Sequence, residues 1–423
     1  MRGRSRLSRR EAIGSAYVVG GLLLAVRVAG ALPGQDVRFA VGVGRGAPRI
    51  VLDPRGAVLG IGLLLAVLGA VAVAERWTRR AAGIALTAAT ASLVPLVLTC
   101  SLALSSSRQT NLVPLLAESL RLGTPIALGA LAGLWSERSG VVNIGIEGMM
   151  LAGAGIGFVV YALLGGSGGA PLWIAVVVAV ATGGLLAALH AALCVTFRVD
   201  QIVSGVVINL LALGVTSFLR RQVLLPLGIG SARTLPEWSI PLLSQVPLIG
   251  QPLFTGKPIF FTMFALFVAT QVVLLRTPWG LRVRSVGENP HAVETLGIDV
   301  LRIRYQAVIL GGLIAGLAGA WLSLETVGSF DAGLVNGRGF IALAALIFGK
   351  WRPWGAFGGA MLFGFADALG TRIQFLGVTV GGHPVPSQFL QVLPFAVTIV
   401  VLAGAIGRAT PPASVGIPYQ RSR

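Results

Sequence analysis

Trp135-Ser-Glu-Arg-Ser-Gly-Val-Val-Asn-Ile-Gly-Ile-Glu-Gly-Met-Met150 joins two apolar runs, at about 112–135 and 140–164. Yet it holds Glu137, Arg138, Asn143 and Glu147, with glycines at 140, 145 and 148. An ionised carboxylate at the centre of a bilayer costs about 2.5–3.5 kcal/mol. Such groups persist between apolar runs only where they face protein, water or a cargo. Glycines let the chain leave helical geometry and show backbone groups to a cavity. Two readings follow. In one, the stretch is a turn outside the membrane, with Glu137 and Arg138 solvated and Glu147 complementing the dipole of the next helix. In the other, the stretch enters the membrane and Asn143 and Glu147 face a cavity.

The flanks make the membrane obligatory. Of 423 residues, 55% are hydrophobic and 11% charged, and the mean hydropathy is +0.85. A soluble chain carries roughly a quarter of its residues as Asp, Glu, Lys and Arg, so here lipid replaces water as the outer solvent. Apolar runs recur at about 12–32, 57–75, 82–104, 112–135, 140–164, 171–197, 201–219, 258–275, 305–324, 339–349, 354–373 and 388–406. A spanning helix takes about 20 apolar residues. The pattern predicts an all-α polytopic membrane protein of about 10–12 transmembrane segments, some broken or half-spanning. We read 12–32 as an uncleaved first span, because Arg27 interrupts it and Arg9-Arg10 is only an incomplete twin-arginine signal.

An even number of spans puts both termini on one side. The basic N-terminus, Arg76/Arg79/Arg80 and the five arginines of 276–304 then fall in the cytoplasm, in keeping with the positive-inside rule. The loop at 33–56, with four arginines, breaks that rule. The formal net charge of +18 is scattered between apolar runs, so it orients the chain in a membrane and implies no nucleic acid. Cys100 and Cys194 lie within apolar runs and imply no disulfide. His190, His291 and His383 share no helical register, so no metal site is expected.

Within Val37–Asp53, two strand-like stretches flank glycines, and 222–257, rich in Pro and Leu with Trp238, suits a short helical cap. Glycines cluster inside spans, as at Gly311-Gly312, Gly316 and Gly319, where small residues let helices approach. One internal echo is visible. Leu131-Ala-Gly-Leu-Trp135 reaches Glu137 and Gly140; Leu317-Ala-Gly-Ala-Trp321 reaches Glu325 and Gly328. The two spans run in opposite directions, the relation expected of an inverted repeat.

The loop at 276–304 encodes a helix of its own. Asn289 suits the N-cap, Pro290 the first helical position and Gly297 the stop. About two turns, roughly 10 Å, are not stable alone in water and want a docking surface. A further polar cluster is Asp367 with Arg372, preceded by Phe330-Asp331 and Asn336; it is a candidate for a substrate path. Catalytic motifs fail. Gly250 to Lys257 has one residue too many for a phosphate-binding loop, and Pro258 replaces the Ser/Thr that holds magnesium. Gly165-Gly-Ser167-Gly-Gly169 matches a nucleophile elbow only literally, with no strand before it. No catalytic residue is assigned, and the chain reads as no enzyme.

Taken as a set, these stretches resemble the permease subunits of ABC importers of the branched-chain amino acid/ribose/nucleoside class, and most of all its nucleoside branch. The resemblance rests on Ser136 to Met150, on Arg198-Val-Asp-Gln-Ile-Val-Ser-Gly with Ile208-Asn-Leu-Leu-Ala-Leu-Gly214, on Gly287-Glu-Asn-Pro-His-Ala-Val-Glu-Thr-Leu-Gly297 and on Gly339 to Gly349. It covers about 112–408. Asp200 stands where that branch usually has Asn. It implies N-terminal extra segments over 1–110 with an outward loop at 33–56, a permease core over 111–408 with a coupling loop at 276–304, and a cytoplasmic tail at 409–423. It also implies three partners: an ATP-binding subunit, a second related permease as heterodimer, and a substrate-binding lipoprotein. ATP and Mg would sit on the partner ATPase, and this chain would bind no cofactor. Glu288, Asn289, Pro290, Ala292, Glu294 and Gly297 would couple to the ATPase, while Asn143, Glu147, Asn209 and Asp367 would line the path. Nucleosides offer many donors and acceptors and no charge, which suits amide and carboxylate groups. Pentose sugars, branched-chain amino acids and a proton-coupled secondary transporter using Glu147 or Asp367 remain as alternatives.

Overall fold

The computed structural model describes residues 8–42, 48–74, 79–105, 108–167, 169–228, 232–377 and 409–421, with isolated positions between 379 and 392. The first seven residues, Arg76 and the predicted segment at 388–406, apart from three positions, lie outside the described residues. Among the described residues, nine helices are long and apolar enough to cross a bilayer. Eight come first: α1 (Glu11–Ala31), α2 (Pro54–Val73), α3 (Ala81–Ala103), α4 (Leu112–Arg138), α5 (Ile146–Leu163), α6 (Gly169–Thr196), α7 (Gln201–Leu227) and α8 (Pro258–Arg276). Two short helices follow, α9 (Pro278–Glu288) and α10 (Pro290–Thr295). The ninth is α11 (Val300–Val327). Then come α12 (Arg338–Phe348) and α13 (Pro353–Phe375). The predicted runs from 12–32 to 354–373 lie within these helices to within a few residues, except that 140–164 starts six residues before α5. With 11 residues, α12 is about 16 Å long, half of a bilayer core of about 30 Å.

The chain forms two compact units. The first comprises Met1–Ser119, Gln245–Pro252 and Phe365–Arg408. In it α1 and α2 run antiparallel in close contact. A methyl group added to Gly69 would come within 2.6 Å of the Gly14 carbonyl, and one on Gly62 within 2.7 Å of the Gly21 carbonyl. Asp53 starts α2, its carboxylate accepting from the amides of Arg55 and Gly56, with Pro54 at the first position. The strand-like stretches form strands and also pair: β1 (Val37–Ala40) lies antiparallel to β2 (Arg49–Leu52), and β3 (Gln109–Asn111) adds to β1 in parallel. Val37, Phe39 and Thr110 are buried on one side of this sheet.

The second unit comprises Leu120–Ser244, Leu253–Gly364 and Ala409–Arg423. Its centre is α5 and α11: each has 78% of its most apolar window buried, against 28% for α7. Gly183 of α6 meets Gly312 and Gly316 of α11 backbone to backbone, with no room for a side chain at any of them. Lipid supplies no drive for helices to associate, so close backbone packing does the work. Ser323 Oγ donates to the Ala154 carbonyl at 2.9 Å, tying α11 to α5. The last turns of α11, Trp321–Val327, widen into a π-helix that stops at Gly328 in the left-handed region.

The helical cap expected over 222–257 is mostly irregular. After α7 ends at Leu227, β4 (Trp238–Ser239) and β5 (Thr255–Gly256) form a two-residue antiparallel ladder, and the described residues add only short turns of helix at Leu243–Gln245 and Gly250–Phe254. Prolines 226, 236, 241, 247 and 252 remove the amide donors a continuous helix would need.

Candidate functional site

Three helix starts in the second unit lack a side-chain cap of their own: Gly145 before α5, Lys257 before α8 and Gly337 before α12. Uncapped amides inside a membrane are costly, and a distant residue supplies each cap. The Asn209 side-chain oxygen accepts from the Gly148 amide of α5 at 2.7 Å. Glu147 accepts from the amides of Gly337 at 2.8 Å and Gly339 at 2.7 Å, capping α12. Glu325 accepts from those of Ile259 at 2.6 Å and Phe260 at 3.1 Å, capping α8. Glu147 thus stands in the first turn of α5 while its carboxylate serves another helix. The role of Glu325 was visible in the sequence only as part of the echo. Its partners Trp135/Trp321 and Glu137/Glu325 are buried in both copies, and Gly140 and Gly328 both take positive φ.

The turn between α4 and α5 buries Glu137, which is therefore not solvated, and leaves Arg138 half-buried. Glu137 accepts from Trp351 Nε1 at 2.5 Å, and Arg138 Nε donates to the Trp351 carbonyl at 2.8 Å. From the other side, Gln201 accepts from the Val142 amide at 2.6 Å. His190 Nε2 meets the Val142 carbonyl at 3.0 Å, and its Nδ1 meets Ser204 Oγ at 2.9 Å. A carbonyl only accepts, so the proton sits on Nε2 and the Ser204 hydroxyl donates to Nδ1. Asn209 Nδ2 donates to the Ile144 carbonyl at 3.1 Å. The motif stretches 136–150 and 198–214 are therefore one assembly. Asp200 begins α7, accepting from the amides of Ile202 and Val203; Asp and Asn cap about equally well, so the departure from Asn keeps that function.

Asn143 is fully buried at the heart of this turn. Its Nδ2 reaches Ser136 Oγ at 3.4 Å and Met149 Sδ at 3.7 Å, while its Oδ1 has no hydrogen-bond partner. An open buried acceptor of this kind is rare in a folded protein. The structure thus gathers Asn143, Glu147 and Asn209 around the start of α5. Asp367 belongs to the first unit, where its carbonyl accepts from Thr371 Oγ1 at 3.0 Å. In the other polar positions, Asp331 pairs with Arg220 at 2.9 Å and Arg372 Nε donates to Thr110 Oγ1 at 2.8 Å. Ser167 is exposed in the turn after α5, and none of its hydrogen bonds to a His or acid is seen among the described residues.

The connection from α8 to α11 forms a second candidate surface. Thr277 caps α9 through the Gly280 amide at 3.1 Å, and Trp279 packs on Trp135 with ring centroids 5.2 Å apart. Asn289 caps α10 through the Ala292 amide at 3.1 Å, with Pro290 following. Gly297 ends the turn at φ +75°, its amide donating to the Glu294 carbonyl at 2.9 Å. Pro290 and Val293 face inward, whereas Glu288, Asn289, Ala292 and Leu296 are exposed, Leu296 by 77%.

Sequence patterning gave no hint that the tail is bound to this surface. Ser414 donates from its amide and its hydroxyl to the Gly287 carbonyl, at 2.9 and 2.7 Å. The Ala413 amide donates to Glu288 at 3.2 Å. The Gly416 amide reaches the Gly140 carbonyl at 3.3 Å, so the tail touches the buried turn as well. Tyr419 is buried between His291, with ring centroids 5.2 Å apart, and the Arg304 guanidinium at 5.8 Å. Burial, helped by a hydrogen bond to Glu294, pushes the Tyr419 phenol up to about 12. Arg421 Nε pairs with Glu294 at 3.2 Å.

The family model described as "Branched-chain amino acid transport system / permease component" matches residues 115–402. The guanosine ABC transporter permease protein NupQ of Bacillus subtilis is 40% identical over 316 residues, 72% of this chain and 96% of its own. The nucleoside ABC transporter permease protein NupC of Lactococcus lactis is 38% identical over 320 residues, 73% and 97% of the two chains. A putative glucose ABC transporter permease of Haloferax volcanii is 36% identical, covering 70% and 92%. No solved structure matches the chain.

Proposed function

The chain belongs to the family of branched-chain amino acid transport system permease components, and on that premise we propose that it is the membrane-spanning permease subunit of an ATP-driven importer of nucleosides. The observation that carries the cargo is the pair of relatives named for guanosine and nucleosides, matched over nearly their whole length. The motif set read in the sequence supports the same branch.

In this reading the start of α5 is the hinge of the path. Asn143 offers its open Oδ1 to a cargo donor, and Asn209 and Glu147 complete the lining. Glu147 and Asn209 join the start of α5 to α12 and α7 by two hydrogen bonds each, so access can alternate by remaking a few bonds. The exposed face of α9 and α10, with Glu288, Asn289, Pro290, Ala292, Glu294 and Gly297, docks on a separate ATP-binding subunit that carries ATP and Mg. Both termini face the cytoplasm of the cell membrane. A second related permease completes the pore, and a substrate-binding lipoprotein delivers the cargo. The pairing is supported by NupP, a second guanosine permease of Bacillus subtilis 27% identical to this chain.

A sugar is the second reading, favoured by the putative glucose permease relative. Uptake in cells lacking other nucleoside carriers tests both. Labelled nucleoside should enter only when the chain is present, and excess unlabelled nucleoside, but not glucose, pentose or leucine, should block it. Uptake blocked by a sugar alone would transfer the assignment to that sugar.

A further inference from the structure

The four arginines of the 33–56 loop have no place in the charge rule for membrane orientation, and two of them meet a third in the fold. Strand register explains how. Side chains alternate across a sheet, and directly paired residues share a face. Arg38 pairs with Gln109, while Ala40 pairs with both Arg49 and Asn111, so Arg38, Arg49, Gln109 and Asn111 lie on one face. Val37 and Phe39 take the buried side. Arg38, Arg49, Gln109 and Asn111 line a pocket together with Thr110, from the other side of the sheet, and with Arg372 and Phe375 at the end of α13. The Arg372 guanidinium is oriented by its Nε bond to the buried Thr110 hydroxyl at 2.8 Å. No acidic residue lines the pocket, and no ion pair among the described residues includes Arg38, Arg49 or Arg372. Arg38 and Arg49 share one sheet face, where like charges repel, and Arg372 adds a third charge at the pocket. Three of them around one concavity are a cost that an anion relieves.

The rim identifies the anion. Phe375 is 83% exposed beside the pocket, at the end of a helix read as a membrane segment. Guanidinium groups bind phosphate oxygens through paired, charge-assisted hydrogen bonds, and basic pockets at membrane helices hold anionic headgroups. We propose that Arg38, Arg49 and Arg372 form a phosphate-binding site for the headgroup of an anionic phospholipid, with Phe375 against its acyl chain. Arg38 and Arg49 lie outside the stretch matched by the permease family, whereas Arg372 and Phe375 lie within it, and the site does not depend on the cargo.

Native mass spectrometry of the detergent-solubilised full chain, titrated with phosphatidylglycerol, phosphatidylcholine or glycerol phosphate, tests it. Phosphatidylglycerol should bind at least about tenfold tighter than phosphatidylcholine, the effect of a few charge-assisted bonds. Arg38 and Arg49 are exposed, so the Arg38→Gln/Arg49→Gln pair should fold normally and lose that preference. Arg233→Gln/Arg282→Gln removes equal charge from other exposed positions and should keep it. Glycerol phosphate binding that also depends on Arg38 and Arg49 would support the phosphate site with a soluble source. Equal binding of both lipids, or a preference that survives Arg38→Gln/Arg49→Gln, would overturn the proposal. So would loss of an acidic protein partner in that variant with lipid binding unchanged.

Discussion

Glu147 and Asn143 were singled out by the same signal, a polar group inside an apolar run, yet they differ in what they leave undone. Glu147 is fully engaged, and its Gly337 partner lies 190 residues further on. No local pattern could have announced that pairing, because a cap donated from a distant helix leaves no spacing behind. Glu147→Ala strands two amides at the start of α12, each costing about 1–3 kcal/mol. We expect a lower melting temperature and reduced uptake, with the subunits still assembling on co-purification; unchanged uptake kinetics across several nucleosides would remove Glu147 from the path. Asn143 is the opposite case. It gives up only a 3.4 Å hydrogen bond and a weak sulfur contact, so Asn143→Ala should shift stability by no more than about 1 kcal/mol. If its open acceptor binds cargo, KM should rise about tenfold, the worth of one buried hydrogen bond. Equal KM for variant and parent would take Asn143 out of the site.

The short helix α10 could be read in advance because its signals are local: cap, proline and stop lie within nine residues. Gly297→Pro forces φ to about −65° where the fold needs +75°. It should abolish transport while leaving membrane insertion intact, as should Glu294→Arg, which repels Arg421. Uptake surviving both would end the coupling role. The tail carries no periodic apolar pattern, so only its contacts reveal that it straps α10. Those contacts are unequal. The Arg421–Glu294 pair has one partner 82% exposed, and pairs so screened contribute about 0–1 kcal/mol; Arg421→Ala should therefore change little. Tyr419 is a buried ring, and its loss in Tyr419→Ala costs on the order of 3 kcal/mol. Protease digestion should then release the tail from this variant but not from Arg421→Ala. Because the phenol is raised from 10.0 to about 12, its contribution is fully present below about pH 10. It is lost as pH rises through 12, so the strap should hold unchanged from pH 6 to 9.

Span positions followed from sequence because lipid leaves the chain few choices: each crossing needs about 20 apolar residues, and every backbone group must be satisfied within a helix. The same constraint explains what stayed hidden. Breaks in the helices must be satisfied too, and here side chains do so across the second unit, from Asn209, Glu147 and Glu325. Such a core can transmit motion. The chain has no phosphate-binding loop, since Gly250 to Lys257 is a residue too long and ends at Pro258. Work against a gradient must come from a partner or from an ion, and the two origins separate cleanly on purification. Gentle detergent extraction of the tagged chain from its own membranes, followed by mass spectrometry, should recover an ATPase subunit and a second permease in near-equal amounts. That complex should then move nucleosides into liposomes only with ATP and Mg. A chain recovered alone that still moves solute under a proton gradient, without ATP, would instead make Glu147 or Asp367 the proton carrier of a secondary transporter.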